Sequence, residues 1–273
     1  MDSNKIIIEN NGSNWVRLEL KKIWNYRSLI KLFTLRDIKL QYIQTKFGMI
    51  WSFVQAITAA FVINLFFGIL LKFETGGIPY LIYAFPGLMA WYYFSFILNN
   101  SGNALVSSQH IIKKVYFPKL VLPFYRAMVG LFDVLVWLIV FFCICVLYGY
   151  PLSWKLLLLP LPVFLNIITG LSIAIWLSAL TIRYRDAFLI IPFLAAFGIF
   201  VTPVFFPHTM IPEQYHSLIF MNPMAGVIEL YRFCLSGVSL DVRYLYGFIP
   251  VVILLVAGLF YFRKVENTIA DLI

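Results

Sequence analysis

The chain has 273 residues, of which 62% are hydrophobic, 18% aromatic and only 12% charged, against roughly half apolar and a quarter charged in an ordinary soluble domain. With a mean hydropathy of +0.89, that composition excludes a soluble globular domain and points to a membrane protein. The net charge of +9 would suit nucleic acid only if the basic residues shared one solvated face, and they gather between apolar runs instead.

In chain order, residues 1–46 come first and are too charged for a secretory signal, so they are expected to remain as a cytoplasmic segment. Val16, Leu20, Ile23, Trp24 and Ile30 recur at helical spacing among lysines and arginines, the pattern of a basic amphipathic helix at the membrane interface. Leu35, Ile38 and Tyr42 continue on one face, with Lys39 and Lys46 placed to snorkel.

Six uncharged stretches follow, at 47–71, 75–112, 134–154, 156–182, 187–212 and 244–262. The shortest reaches roughly 28 Å as a helix, close to the ~30 Å hydrocarbon core. Without period-2 alternation, helices are expected rather than a barrel. The spans are placed at about 47–71, 80–104, 124–148, 156–181, 187–206 and 244–262.

Basic residues set the orientation. Residues 1–48 hold nine of the 21 lysines and arginines, and the loop 105–122, the "RYRD" at 183–186 and the tail opening on Arg263 and Lys264 are basic too. Both termini are therefore expected in the cytoplasm. The opposite-side loops carry only Lys72, Lys155, Arg232 and Arg243.

Polar groups inside spans are costly, so Gln55, Asn64, Asn99, Asn100, Asp133 and Asn166 are expected to face other helices or a cavity. Arg126 is expected to snorkel, and Asp133 to find a polar partner on a neighbouring helix. Gly48 is read as permitting close packing where the chain enters the bilayer. Trp51 shares a face with Thr58 and Phe61, beside Gln55, while Phe193, Phe197 and Phe200 follow i, i+4, i+7. Such stripes commonly serve helix packing, yet aromatic faces also stack on sugar rings.

Between the fifth and sixth stretches, residues 207–243 contain two helix starts, at Pro212–Glu213 and at Asn222–Pro223, and a stop at Gly237. Met224 to Leu235 reads as amphipathic, with Glu229 and Arg232 one turn apart. The expectation is two short helices dipping into the outer interface. Cys143, Cys145 and Cys234 show no metal spacing and read as small buried apolar residues.

No glycine precedes a lysine, so the GxxxxGK[ST] phosphate loop is absent, and neither HExxH nor Gly-x-Ser-x-Gly occurs. Asp133 is the lone carboxylate in a span, which argues against ion coupling. A conduit, or a subunit driven by another chain, remains.

The blocks "RDIKLQYIQTKFGMIWSFVQ", "IIKKVYFPKLVLP", "RYRD" and "NPMAGVIELYR" resemble the ABC-2 type permeases that export lipid-linked polysaccharides such as O-antigen, capsule and teichoic acid. The resemblance implies an all-α membrane fold of the ABC-2 (type V exporter-like) kind. It implies six transmembrane helices after a cytoplasmic amphipathic interface helix, with two short extracytoplasmic gate helices before the last span. It also implies a homodimer in the inner membrane, surrounded by lipid, working with two copies of a nucleotide-binding ATPase that carries the ATP and Mg. This chain itself would bear no cofactor, metal site or catalytic residue, and would bind no nucleic acid.

By the same resemblance, Lys113, Lys114, Tyr116, Phe117, Pro118, Lys119, Arg183 and Asp186 lie at or beside the ATPase contact. Trp51, Gln55, Thr58, Phe61, Phe193, Phe197 and Phe200 line the channel, and Asn222, Pro223, Glu229, Tyr231 and Arg232 belong to the outer gate. The rival readings are an ABC-2 exporter of small lipids or drugs, a membrane-embedded glycosyl or acyl transferase, and a passive channel.

Overall fold

The computed structural model describes residues 23–43, 47–184 and 186–272. Val16, Leu20, Lys46 and Arg185 lie outside them. The described residues form helices and turns without a strand.

Helix α1 (Arg27–Ile38) ends in a π-turn, Lys39–Ile43. Its buried positions are Phe33 and Asp37, not the expected Leu35 face, and Trp24, Leu32, Leu35 and Leu40 stay exposed. The helix docks through Phe33 and Asp37, with Leu29, Ile30 and Ile38 partly buried against the core, and leaves Leu32 and Leu35 free for the membrane interface.

The first span is α2 (Gly48–Ile63) with a π-helical continuation to Leu70. Gly48 opens it at φ +42°. Glycine supplies the backbone freedom that this left-handed conformation needs. The second span, α3 (Tyr80–Gly102), is the centre of the fold: 83% of its apolar window is buried, against 17% for the first span. A span so uncovered on its own chain has most of its surface available to lipid or to another subunit.

The third span is α4 (Val121–Val129) and α5 (Leu131–Tyr148), broken at Gly130. A Cβ at Gly130 would fall 2.5 Å from the Phe96 ring, so glycine is what lets this span approach the second. The connection before it, residues 103–120, holds two short helices, Ala104–Ser107 and Gln109–Ile112, and α4 begins at Val121. The fourth span, α6 (Pro160–Arg183), follows a 3-10 turn at Trp154–Leu158 and starts on a proline, whose missing N–H costs nothing there.

The fifth stretch departs from expectation. Helix α7 (Ala187–Val201) has 15 residues and stops five short of the expected 206, because extended Thr202 precedes Pro203. It rises about 22 Å, below the thickness of the hydrocarbon core. Among the described residues five helical segments are long and apolar enough to cross a membrane, and a sixth crossing is available if α8 (His216–Met221, with its leading turn from Glu213) and α9 (Pro223–Leu235), bent by 89°, count as one broken span. The last span, α10 (Phe248–Leu272), starts after a 3-10 turn, Val242–Gly247, and runs past the expected 262.

Helix α9 is not amphipathic at an interface. Every residue except Pro223 and Phe233 is buried, including Glu229 and Arg232. It is wedged against α3, α6 and the turn Val242–Gly247. Cys143 also departs from expectation, being exposed, while Cys145 and Cys234 are buried.

Candidate substrate groove and its two ends

At the end of the fold that holds α1, three elements are tied to one loop. Phe33 of α1 meets Phe117 edge-on at 6.0 Å and Tyr125 at 5.3 Å. Asp37 is bridged by Arg36 at 2.8 Å and by Arg126 at 3.2 Å. Arg126 thus pairs with a carboxylate on a neighbouring helix instead of snorkelling. On the other side, Glu266 of α10 accepts from the Lys119 backbone N–H at 2.9 Å, and Lys119 Nζ donates to the Glu266 carbonyl at 3.0 Å.

This framework sorts the expected coupling residues. Tyr116 is 95% exposed and Val115, Lys113 and Lys114 are exposed with it, so this turn is the free face. Phe117 is buried and Pro118 and Lys119 are half-buried. Phe117 is therefore the anchor of the loop, packed on Phe33 beside the exposed turn. Arg183 ends α6 and Asp186 is the exposed residue before α7.

A groove runs along α2. About 600 Å³ is enclosed by Trp51, Gln55, Thr58 and Val62 of α2, by Trp91, Tyr92 and Ser95 of α3, and by Trp137 and Ile199. It shares Trp51, Gln55 and Tyr92 with a second space of about 470 Å³ toward α1, lined by Tyr42, Phe47, Ser52, Phe96, Asn100 and Asp133. Gln55 accepts a hydrogen bond from the Tyr92 hydroxyl at 3.0 Å. Tyr92 in turn stacks on Trp137 at 4.8 Å. The glutamine faces this groove, as its cost in hydrocarbon requires.

Asp133 closes the α1 end. Its Oδ1 accepts from the Tyr42 hydroxyl and from Ser52 Oγ, both at 2.7 Å. One carboxylate thereby pins the π-turn and the start of the first span to the third, the polar partnership expected of it. Burial first, then the hydrogen bond and charge of Asp133, push the Tyr42 phenol above its usual range, so it remains a donor. Asp133 Oδ2 and Trp137 Nε1 are buried without a hydrogen-bond partner among the described residues. Each such atom costs about 1–3 kcal/mol unless a ligand or water meets it.

The expected channel residues divide. Trp51, Gln55 and Thr58 line the groove, whereas Phe61, Phe193, Phe197 and Phe200 are exposed elsewhere on the surface. The Phe193 and Phe197 rings lie 4.4 Å apart, a continuous aromatic patch outside the groove. Tyr92, Trp137 and Ser52 were not anticipated. The spacing of Asp133 and Trp137, i and i+4 on one helix, was the available signal.

At the far end, Asn222 caps α9 by accepting from Met224 N–H at 3.0 Å, and its Nδ2 donates to Thr202 Oγ1 at 3.0 Å. Arg232 is fully buried. It donates to Glu229 Oε1 at 2.7 Å, to the Val204 carbonyl at 2.7 Å and to the Tyr83 carbonyl at 3.3 Å, and lies 4.0 Å over the Tyr83 ring. One guanidinium therefore joins α9 to the second span and to the chain just after α7. Tyr231 is buried beside it, and Pro223 holds the first helical position.

Residues 28–235 match the ABC-2 type transporter family. The chain is 27% identical over 253 residues to an O-antigen export system permease protein, RfbA, of Klebsiella pneumoniae, covering 90% of this chain and 95% of that one. RfbA of Myxococcus xanthus is 26% identical, over 78% of this chain and 82% of its own length. The polysialic acid transport protein KpsM of Escherichia coli is 23% identical, over 85% and 92%. With a helical, multi-pass architecture in its described residues and a match over most of its length, the chain belongs to the ABC-2 type transporter family, as a membrane subunit.

Proposed function

We propose that this chain is the permease half of an ATP-driven exporter that carries a lipid-linked polysaccharide across the cytoplasmic membrane. It would act as a homodimer bound to two copies of a separate ATPase that holds ATP and Mg, with both termini on the cytoplasmic side. The observation that carries the reading is the groove: Trp51 and Tyr92 offer ring faces, and Gln55 and Thr58 offer polar groups, along one side of the first span. That lining suits sugars, and the relatives are named for O-antigen export and polysialic acid transport.

The contacts suggest how a push is transmitted. ATP-driven closure of the partner presses on the exposed turn at Lys113, Lys114 and Tyr116, with Arg183 and Asp186 beside it. Phe117 passes the displacement to Phe33 and α1, and Asp37–Arg126 passes it to the third span. Asp133, bonded to Tyr42 and Ser52, then shifts the first span. In this reading Phe61, Phe193, Phe197 and Phe200 meet the second subunit and the passing polymer. Each stacking contact is worth only about 1 kcal/mol, so none traps the chain. At the outer end Asn222, Pro223, Glu229, Tyr231 and Arg232 hold the gate helix.

Deleting the chain in its host and measuring surface polysaccharide tests the reading. Loss of surface polymer with lipid-linked polymer accumulating inside is the expected result. Unchanged surface polymer with loss of a small lipid or drug efflux activity would replace it with the rival ABC-2 exporter.

A further inference from the structure

Two buried polar atoms on residues that line the groove have no hydrogen-bond partner among the described residues. Asp133 is 2% exposed, and its Oδ1 is occupied by Tyr42 and Ser52 while Oδ2 has no partner among the described residues. Trp137 is also 2% exposed, and its Nε1–H has no acceptor among the described residues. They stand one turn apart on α5, each lining one of the two connected halves of the groove. An acceptor and a donor are therefore presented along the same face of the third span.

We propose that this face is a saccharide subsite inside each protomer, at which Asp133 Oδ2 accepts from one sugar hydroxyl and Trp137 Nε1–H donates to another. The proposal rests on the polysaccharide reading above. The chemistry selects the occupant. An acyl chain would leave both atoms unpaired, at the cost of burying polar groups without partners. A phosphate would meet a carboxylate. A metal ion would need several ligands, and no group of three His, Cys, Asp or Glu side chains suited to one occurs among the described residues. A neutral pyranose supplies both hydroxyl donors and hydroxyl acceptors, and its C–H face matches the rings of Trp51 and Phe96. Volumes of about 470 and 600 Å³ lie in the range of small-ligand pockets.

The test is photo-cross-linking in cells that make the polymer. p-Benzoylphenylalanine replaces Phe47, which lines the α1 end of the groove, and polymer attached to the purified permease is quantified by blot. Asp133→Asn keeps an oxygen for Tyr42 and Ser52 but exchanges the charged acceptor for an amide. It should lower the yield about tenfold, a charged hydrogen bond being roughly twice as strong as a neutral one. Trp137→Phe keeps the ring and removes the donor, and should lower it about fivefold. Leu147→Ala, at an exposed position of α5 outside the groove, should leave the yield unchanged, and all three should still co-purify with the ATPase. Unchanged yield in both Asp133→Asn and Trp137→Phe overturns the subsite, as does an Asp133→Asn loss matched by an equal fall in ATPase co-purification, which would make Asp133 an anchor only. Polymer captured from Phe197 but never from Phe47 overturns the subsite and leaves the export reading standing. Capture from neither position sinks the export reading with it.

Discussion

Replacing Arg232 with methionine removes the guanidinium that joins three elements and strands Glu229, whose side chain is 5% exposed, without its 2.7 Å partner. Breaking one side of a buried ion pair costs about 3–5 kcal/mol. The Val204 and Tyr83 carbonyls lose their Arg232 bonds as well, at about 1 kcal/mol each where no water reaches them. For a domain of comparable size about 2–4 °C of midpoint corresponds to 1 kcal/mol, so with these losses together, about 5–7 kcal/mol, Arg232→Met should lower the unfolding temperature by roughly 10–28 °C. The assay is tryptophan-fluorescence melting of the purified permease in nanodiscs. Adding Glu229→Leu removes the stranded carboxylate and should recover more than half of the loss, because an apolar pair of similar volume replaces a buried ion pair with little penalty. A fall of less than about 3 °C for Arg232→Met, or a further additive fall in the double variant, would refute the claim that this pair holds α9 in place.

Further perturbations separate the roles assigned above. Phe117→Ala should destabilise the loop by about 3–5 kcal/mol through loss of buried packing, seen as a lower melting temperature. Tyr116→Ala together with Lys114→Glu should leave melting within about 2 °C of the parent while reducing ATPase co-purification and polymer export. Asp37→Asn weakens the bridge to Arg126 and should raise protease cleavage or hydrogen exchange in 27–43 before any change in the spans. Gly48→Val forces a β-branched residue to φ +42° and should cost about 1–3 kcal/mol, read as lost export with reduced membrane accumulation. Trp51→Ala with Phe197→Ala should impair polymer export while sparing assembly, and unchanged export would return both residues to ordinary packing.

Much of the architecture was readable from local chemistry. Uncharged runs long enough for a bilayer predict helices wherever they occur, since backbone groups in lipid must bond within their own segment. The Asn222–Pro223 start and the Gly237 stop are local signals of the same kind, and α9 runs from Pro223 to Leu235 between them. The fifth span shows where such signals mislead. Its apolar run continues to Ile211 past Pro203, but extended Thr202 ends the helix at Val201, and composition does not register backbone geometry.

The candidate site was legible only in part. Gln55, Trp51 and Thr58 could be placed on one face by helical periodicity, and that face lines the groove. Phe193, Phe197 and Phe200 share a face by the same rule, yet α7 turns it away from the groove, because periodicity states which residues align and not which way they point. The partners of Asp133, at 91 and 81 residues' remove, and the bond from Arg232 to the Tyr83 carbonyl, 149 residues away, had no local signature. By itself the sequence determined that this is a helical membrane protein, where most of its spans run, and which polar residues could not face lipid, since desolvation is a cost each residue carries alone. The tertiary structure decided which of those groups meet, why α9 is buried instead of lying at an interface, and which two polar atoms remain for a ligand, since hydrogen-bond pairing is a property of atoms brought together from distant segments.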